Sequence, residues 1–308
     1  MLYFARFLNI ALNLGRMLVE SFFERTYLLE ANTMKDIQIL LTNDDGIRSP
    51  GLWAAASALS EIGFVHVAAP REQYSGAGRS MPSTSDGIIQ EHVIQVNGQH
   101  WKVYSVGGTP AQTVLHAVLE ILPRCPDLVV SGINYGENLG TGVTISGTVG
   151  AALEGAALGI PALAISLETE PQYHLSYATH IDFRVAAHFA QYFSRLLLSC
   201  TLPHDVDVLK VDVPANATVE TPWELCRLSR KIYYEPLRPK RRSWSQPGRL
   251  EYRLARDAGD PVEGTDAYVM RVKRWVAVTP LSLDLTSRVE LAQVEQCLRA
   301  VTSSAQSS

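Results

Sequence analysis

Ile37-Gln38-Ile39-Leu40-Leu41-Thr42-Asn43-Asp44-Asp45-Gly46 decides how the rest of the chain is read: an apolar run that stops in an amide, two carboxylates and a glycine. Too short for a helix and closed by turn residues, it reads as a buried parallel strand. Its polar tip then lies at the carboxyl edge of an open α/β sheet. There the loops form the ligand crevice, and the helices that follow direct their positive N-terminal ends into it. Adjacent carboxylates in such a crevice repel unless a cation sits between them, and a divalent metal is the simplest remedy. A plain strand-to-helix turn is the competing reading, because Asn and Asp hydrogen-bond their own backbone and Gly accepts positive φ.

The bulk composition narrows the choice. At 308 residues and 46% hydrophobic content the chain can bury a full core, as one large domain or two smaller ones. A net charge of −4 argues against nucleic-acid binding by field alone. Cys125, Cys200, Cys226 and Cys297 are scattered without CxxC spacing, which disfavours a zinc site or a disulfide framework and suits a reducing cytoplasm. The histidines show no HExxH pairing, and His180 and His188 read as surface or core residues of a helix. Any metal is therefore a hard ion on oxygen ligands, Mg²⁺ or Mn²⁺.

Residues 1–33 precede the first strand. Arg6, Asn9, Asn13 and Arg16 would form a thin polar stripe on an otherwise apolar helix, as in a membrane-surface helix or a weak targeting segment, but no uninterrupted span is present. The expectation here is that translation begins at Met34 and that this extension is no part of the domain. After the carboxylate turn, Ser49-Pro50-Gly51 opens a helix that ends by Gly63. Phe64 to Ala69 is a second strand, breaking into the loop Pro70 to Ser80, whose Ser75-Gly76-Ala77-Gly78 lets backbone and a hydroxyl approach a ligand; a flexible surface loop is the alternative. Residues 88–106 alternate around Asn97-Gly98 as a hairpin, and Pro110 to Leu122 is helical.

Asp127 to Ser131 is the third buried strand, followed by the polar loop Gly132 to Gly140. Ser146-Gly147-Thr148-Val149 then opens a helix running to Leu158, where free N–H groups beside hydroxyls make an anion site or an ordinary N-cap. Ala162 to Ser166, Asp207 to Val213 and Val276 to Thr279 are further strands, with a helix from His180 to Leu198. Metal-holding and anion-holding loops at one sheet edge would make a phosphate-ester site. From Arg227 to Arg256 ten Lys or Arg residues face two Glu, interleaved with Tyr233, Tyr234, Trp244 and Tyr252. Such a run can hold nucleotides, or serve as a solvated arm or partner contact. The Ser-rich tail, residues 301–308, reads as disordered.

These stretches together resemble the SurE (survival protein E) nucleotidases. The resemblance rests on Ile39 to Gly46, Ser75 to Gly78, Gly108-Thr109-Pro110-Ala111, Val130 to Gly140, Ser146 to Val149 and Val278-Thr279-Pro280-Leu281, in the family's order. It implies a doubly wound, mainly parallel α/β sheet, Rossmann-like, over residues 34–300. It also implies a metal-dependent phosphatase acting on nucleoside 5′- and 3′-monophosphates. By the family pattern Asp44, Asp45, Ser75 and Asn134 hold one divalent ion per subunit, with Asp44, Asp45 and Asn134 central to catalysis. Asn43, Asn138, Ser146, Gly147 and Thr148 then meet the substrate's phosphate. The arm, residues 227–256, falls where the family has a hairpin that joins subunits, so a homodimer or homotetramer is expected, with no stable nucleic-acid partner and no membrane span. Two positions depart: Gln112 stands where the family often has Asp, and Asp212-Val213-Pro214 where it often has Asn-Val-Pro. A catalytically idle nucleotide-binding or scaffold protein is the alternative, although every expected ligand is present. A dinucleotide oxidoreductase is disfavoured, since no G-x-G-x-x-G follows the first strand.

Overall fold

The computed structural model describes residues 37–256 and 260–305. The expected Met34 start and the extension 1–33 lie outside the described residues. Among the described residues, eleven strands form a nine-stranded sheet and a separate hairpin. The first strand, β1 (Gln38–Thr42), lies between β2 (Phe64–Pro70) and β5 (Leu128–Tyr135), parallel to both. Beyond β5 come β6 (Ala162–Leu167) and β7 (Val208–Val213), also parallel. On the other flank β4 (Gln99–Val106) runs parallel to β2 and pairs antiparallel with β3 (Ile89–Val96). Asn97 and Gly98 join these two with φ of 49° and 78°, the left-handed pair that a tight hairpin turn needs. The far edge is closed by β11 (Val276–Leu281), antiparallel to β7, and β8 (Trp223–Leu225).

Continuous apolar runs became strands because both faces of the sheet are covered. Ile39 and Leu41 point into a core shared with α1 (Pro50–Leu59) and α4 (Arg184–Ser199), through Leu52, Leu59, Phe189 and Phe193. Leu40, between them, enters the opposite core with Val114 and Ala117 from the helical stretch opened by α2 (Pro110–His116), and with Val149, Ala151 and Ala152 of α3 (Gly147–Ala157). Leu128, Val129 and Val130 of β5 divide between the same two cores. The chain leaves β1 for β2 on one side and returns to its other side with β5. The topological switch point, where such sheets bind ligands, therefore lies between the carboxyl ends of β1 and β5.

Several boundaries differ from the sequence expectation. Strand β5 does not stop at Ser131 but continues to Tyr135, with its register to β6 interrupted between Ser131 and Asn134, so Asn134 belongs to the strand rather than to a loop. The helix expected from His180 starts at Arg184, because Asp182 Oδ1 accepts the Arg184 N–H and fixes the preceding turn. The tail expected to be disordered from residue 301 is helical as far as Ala305, the end of α5 (Leu291–Ala305). Leu291, Val294 and Leu298 give that helix its spacing, and Ser and Thr at its end do not break it.

Candidate active site

The turn after β1 is built by Asn43. Its Nδ2 donates to Gly46 O at 3.1 Å and its Oδ1 accepts Gly46 N at 3.1 Å, an Asx turn that Gly46 permits with φ of 91°. Asn43 is 0% exposed, and these two bonds make it shape the loop that presents Asp44 and Asp45. Those carboxylates are 3% and 0% exposed. Asp44 Oδ1 accepts the Thr148 hydroxyl at 2.6 Å. Asp45 Oδ1 accepts Gln73 Nε2 at 2.9 Å, and its Oδ2 accepts the Tyr135 N–H at 3.3 Å.

Among the described residues no Lys, Arg or His forms an ion pair with either carboxylate. Burial pushes Asp44 from an ordinary 3.8 up to about 6, opposed by the Thr148 hydroxyl and by the backbone amides of Thr148 and Gly147. Asp45 is raised well above the usual carboxylate range, first by burial and then by the charge of Asp44, against the Gln73 amide and the Tyr135 N–H. A pair of neighbouring carboxylates enclosed without a countercharge is an uncompensated negative site.

The helix start at α3 supplies the opposing wall. Ser146 is its N-cap, accepting Val149 N at 3.1 Å. A Cβ on Gly147 would lie 2.7 Å from Asp44 Cβ and 2.9 Å from Asp44 Oδ2, so only glycine admits the carboxylate this close to the helix end. The structure thus brings Ser146, Gly147 and Thr148 to the site, with Asp44 itself as the anion that the helix end now faces. The Ser75 loop is tied to the same place: Tyr74 N donates to Asp44 O at 2.7 Å, and Gly78 N donates to Ile145 O at 2.9 Å. Ser75 is exposed and sits one residue beyond that anchor. Asn134, at the end of β5 beside β1, donates Nδ2 to Gly136 O at 2.6 Å, while its Oδ1 has no hydrogen-bond partner among the described residues. Asn138 has its backbone N–H committed to Asp212 Oδ1 at 2.8 Å and one hydrogen of Nδ2 to Ser166 Oγ at 2.9 Å. Any phosphate contact it makes therefore comes from the side chain, through the second hydrogen of Nδ2.

The oxygen donors of Asp44, Asp45, Asn134 and Ser75, with the charge of the two aspartates, are of the kind a hard divalent ion takes. No group of three or more His, Cys, Asp or Glu that could hold a metal ion occurs among the described residues.

Four participants are not among the residues expected at the site. Gln73 joins Asp45 to the His174 carbonyl, donating to the latter at 2.8 Å. Tyr177 donates its hydroxyl to Asp45 O at 3.1 Å. His174 packs where a Cβ on Gly136 would be, and its Nδ1 lies 3.0 Å from the Tyr252 hydroxyl. Glu137 Oε1 accepts the hydroxyls of Tyr233 at 2.7 Å and Tyr234 at 2.9 Å. The base of the hairpin β9 (Tyr234–Leu237) and β10 (Glu251–Leu254) is thereby fastened to the site loop of its own chain. Tyr233 is 4% exposed in the single chain, so its burial needs no partner.

The sequence matches the family model described as Survival protein SurE over residues 39–235. A 5′-nucleotidase SurE of Thermococcus kodakarensis is 41% identical over 264 residues, covering 86% of this chain and 99% of that protein. A 5′-nucleotidase SurE of Archaeoglobus fulgidus is 40% identical over 261 residues, 84% of this chain and 96% of its own. The crystal structure of the SurE protein from Aquifex aeolicus superposes with a TM-score of 0.63 at 31% identity, covering 86% of this chain and 99% of that one. With an uncompensated carboxylate pair at the switch point and these likenesses over most of its length, the chain belongs to the SurE family.

Proposed function

We propose that the protein is a divalent-metal-dependent phosphomonoesterase that hydrolyses nucleoside 5′-monophosphates, and 3′-monophosphates as well, to nucleoside and phosphate. The observation that carries this reading is the buried Asp44–Asp45 pair, set against a helix N-terminus and without a Lys, Arg or His partner among the described residues. The substrate class follows the relatives' printed activity, 5′-nucleotidase.

Asp44, Asp45, Asn134 and Ser75 would hold the ion, Mg²⁺ or Mn²⁺, one per subunit. When bound, it supplies Lewis acidity to the phosphoryl group and the attacking water. The chain's own groups do the rest. The N-terminal dipole of α3 and the free hydrogen of Asn138 Nδ2 attract and orient the phosphate oxygens. The Thr148 hydroxyl and the Gln73 amide fix the two carboxylates in place. An idle nucleotide-binding protein on the same fold has less support, because every one of the four ligand positions keeps an oxygen donor.

The same reading includes assembly through the hairpin arm into a homodimer or homotetramer. Its tip supports this: Trp244 is 90% and Leu250 71% exposed, more apolar surface than a solvated loop needs. Among the described residues no helix is long and apolar enough to cross a membrane. Four unpaired cysteines support a cytoplasmic setting.

Phosphate release from a panel of nucleoside 5′- and 3′-monophosphates, with Mn²⁺, with Mg²⁺ and after exhaustive chelation, tests the proposal. Release that needs the ion and favours nucleotides over other phosphate esters is the expected result. Undiminished turnover in chelator, or none with any ion, would overturn it.

A further inference from the structure

A second charged cluster lies at the same end of the sheet, behind the loop that follows β5. Lys210 and Asp212 stand two residues apart on β7, and Asp266 begins a short helix before β11; all three are 0% exposed. The Lys210 ammonium hydrogen-bonds Asp212 Oδ2 and lies 3.4 Å from Asp266 Oδ2. Both carboxylates also hold the site loop. Asp212 Oδ1 accepts Asn138 N at 2.8 Å, and Asp266 Oδ2 accepts Gly140 N at 2.9 Å. Asp266 Oδ1 further accepts Ser229 N at 2.8 Å and Ala267 N at 2.9 Å.

Enclosing three charges is a poor way to gain stability. Desolvation offsets most of the attraction, and apolar replacements of similar volume often do as well. What the cluster supplies is geometry, because both backbone amides it fixes belong to the segment that aims the Asn138 side chain. We propose that Lys210 is a positioning residue for phosphate-ester hydrolysis: by bridging Asp212 and Asp266 it clamps the Asn138–Gly140 loop and so sets where the Asn138 amide meets the phosphate. The inference rests on the phosphomonoesterase reading and adds a role for Asp212, one of the two departures from the family pattern.

Steady-state kinetics of the full chain with a nucleoside 5′-monophosphate and Mn²⁺ would be compared for the parent and four variants. Lys210→Met and Asp212→Ala break the clamp from either side. The doubles Lys210→Met/Asp212→Asn and Lys210→Met/Asp212→Ala both remove the Lys210–Asp212 charge pair, leave Asp266 on its backbone donors, and differ only in whether an oxygen remains for Asn138 N–H. The single variants and the alanine double should lose about ten- to a hundredfold in kcat, the range seen when a supporting hydrogen bond to a site is removed, with Mn²⁺ affinity unmoved. The asparagine double should return to within about threefold of the parent. Should Lys210→Met fail to fold, the two charge-neutral doubles decide. Variants that lose thermal stability but keep the parent's kcat, or doubles that are indistinguishable from each other, overturn the inference while an active parent leaves the phosphatase reading standing. A parent that releases no phosphate with any divalent ion overturns both.

Discussion

Two groups of buried carboxylates share one end of this sheet and are balanced in different ways. Asp212 and Asp266 share one internal cation, Lys210, and their remaining oxygens are filled by backbone amides. Despite its burial Lys210 is held above its ordinary range by those two carboxylates and so stays charged. Asp44 and Asp45 have comparable enclosure but only a hydroxyl, a side-chain amide and backbone N–H groups for company. An internal cation with every oxygen hydrogen-bonded makes a rigid support. On the proposed function, the other group draws its cation from solution.

The comparison can be broken at either cluster. The largest effect expected is on turnover: Asp44→Asn or Asp45→Asn should lower phosphate release by about a thousandfold, since a neutral amide cannot balance a divalent ion. Chromatographic mobility and circular dichroism should remain those of the parent. The two clusters should then respond with opposite sign to losing one charge. In the metal-free protein Asp45→Asn removes a repulsion and should raise Tm. Lys210→Met strands two buried carboxylates and should cost roughly 3 kcal/mol, read from urea unfolding.

Acidity sharpens the same contrast. The folded-state value of Asp44 is raised from 3.8 to about 6, so its contribution to stability is complete below the unfolded value and is lost as pH rises through about 6. The loss is on the order of 3 kcal/mol. Metal-free parent should thus fall in Tm relative to Asp44→Asn between about pH 4 and pH 6. A difference in Tm that is flat with pH would contradict the assigned environment. The smallest effect belongs to Thr148→Val, which keeps shape but deletes the hydroxyl that donates to Asp44. It should weaken Mn²⁺ binding near pH 6 by about three- to tenfold, as expected for one ordinary hydrogen bond.

How much of this the sequence displays follows from the range of the interactions. Strand β1, its Asp-Asp-Gly turn and the Ser146 helix start are local patterns, and each lies where the spacing placed it. Asn43 is ambiguous in the sequence because a turn former and a polar ligand use the same residue type, and its turn-forming role becomes visible only in the hydrogen-bond ring to Gly46. Gln73, His174 and Tyr177 join the site across gaps of 28 to 132 residues, with no periodicity to mark them. The two departures from the family pattern acquire partners in the same way. Asp212 pairs with Lys210 on its own strand, while Gln112 completes a capping box with Thr109 and accepts the Ser85 hydroxyl at 2.6 Å. Lys210 and Asp212 are neighbours that a strand's alternation could have linked, but Asp266 is 56 residues away and makes the cluster invisible to local reading.

Titration of Mn²⁺ into the metal-stripped protein, followed calorimetrically and by the loss of the free-ion paramagnetic resonance signal, addresses the uncompensated pair itself. The parent should bind a single ion per chain with an affinity that weakens as pH falls below about 6, because the carboxylates must be ionised to act as ligands. Asp45→Asn should bind none in the same range, and Lys210→Met/Asp212→Asn should bind as the parent does. A parent that takes up no Mn²⁺, or an Asp45→Asn variant that binds it as tightly as the parent, would contradict the assignment of Asp44 and Asp45 as the cation site.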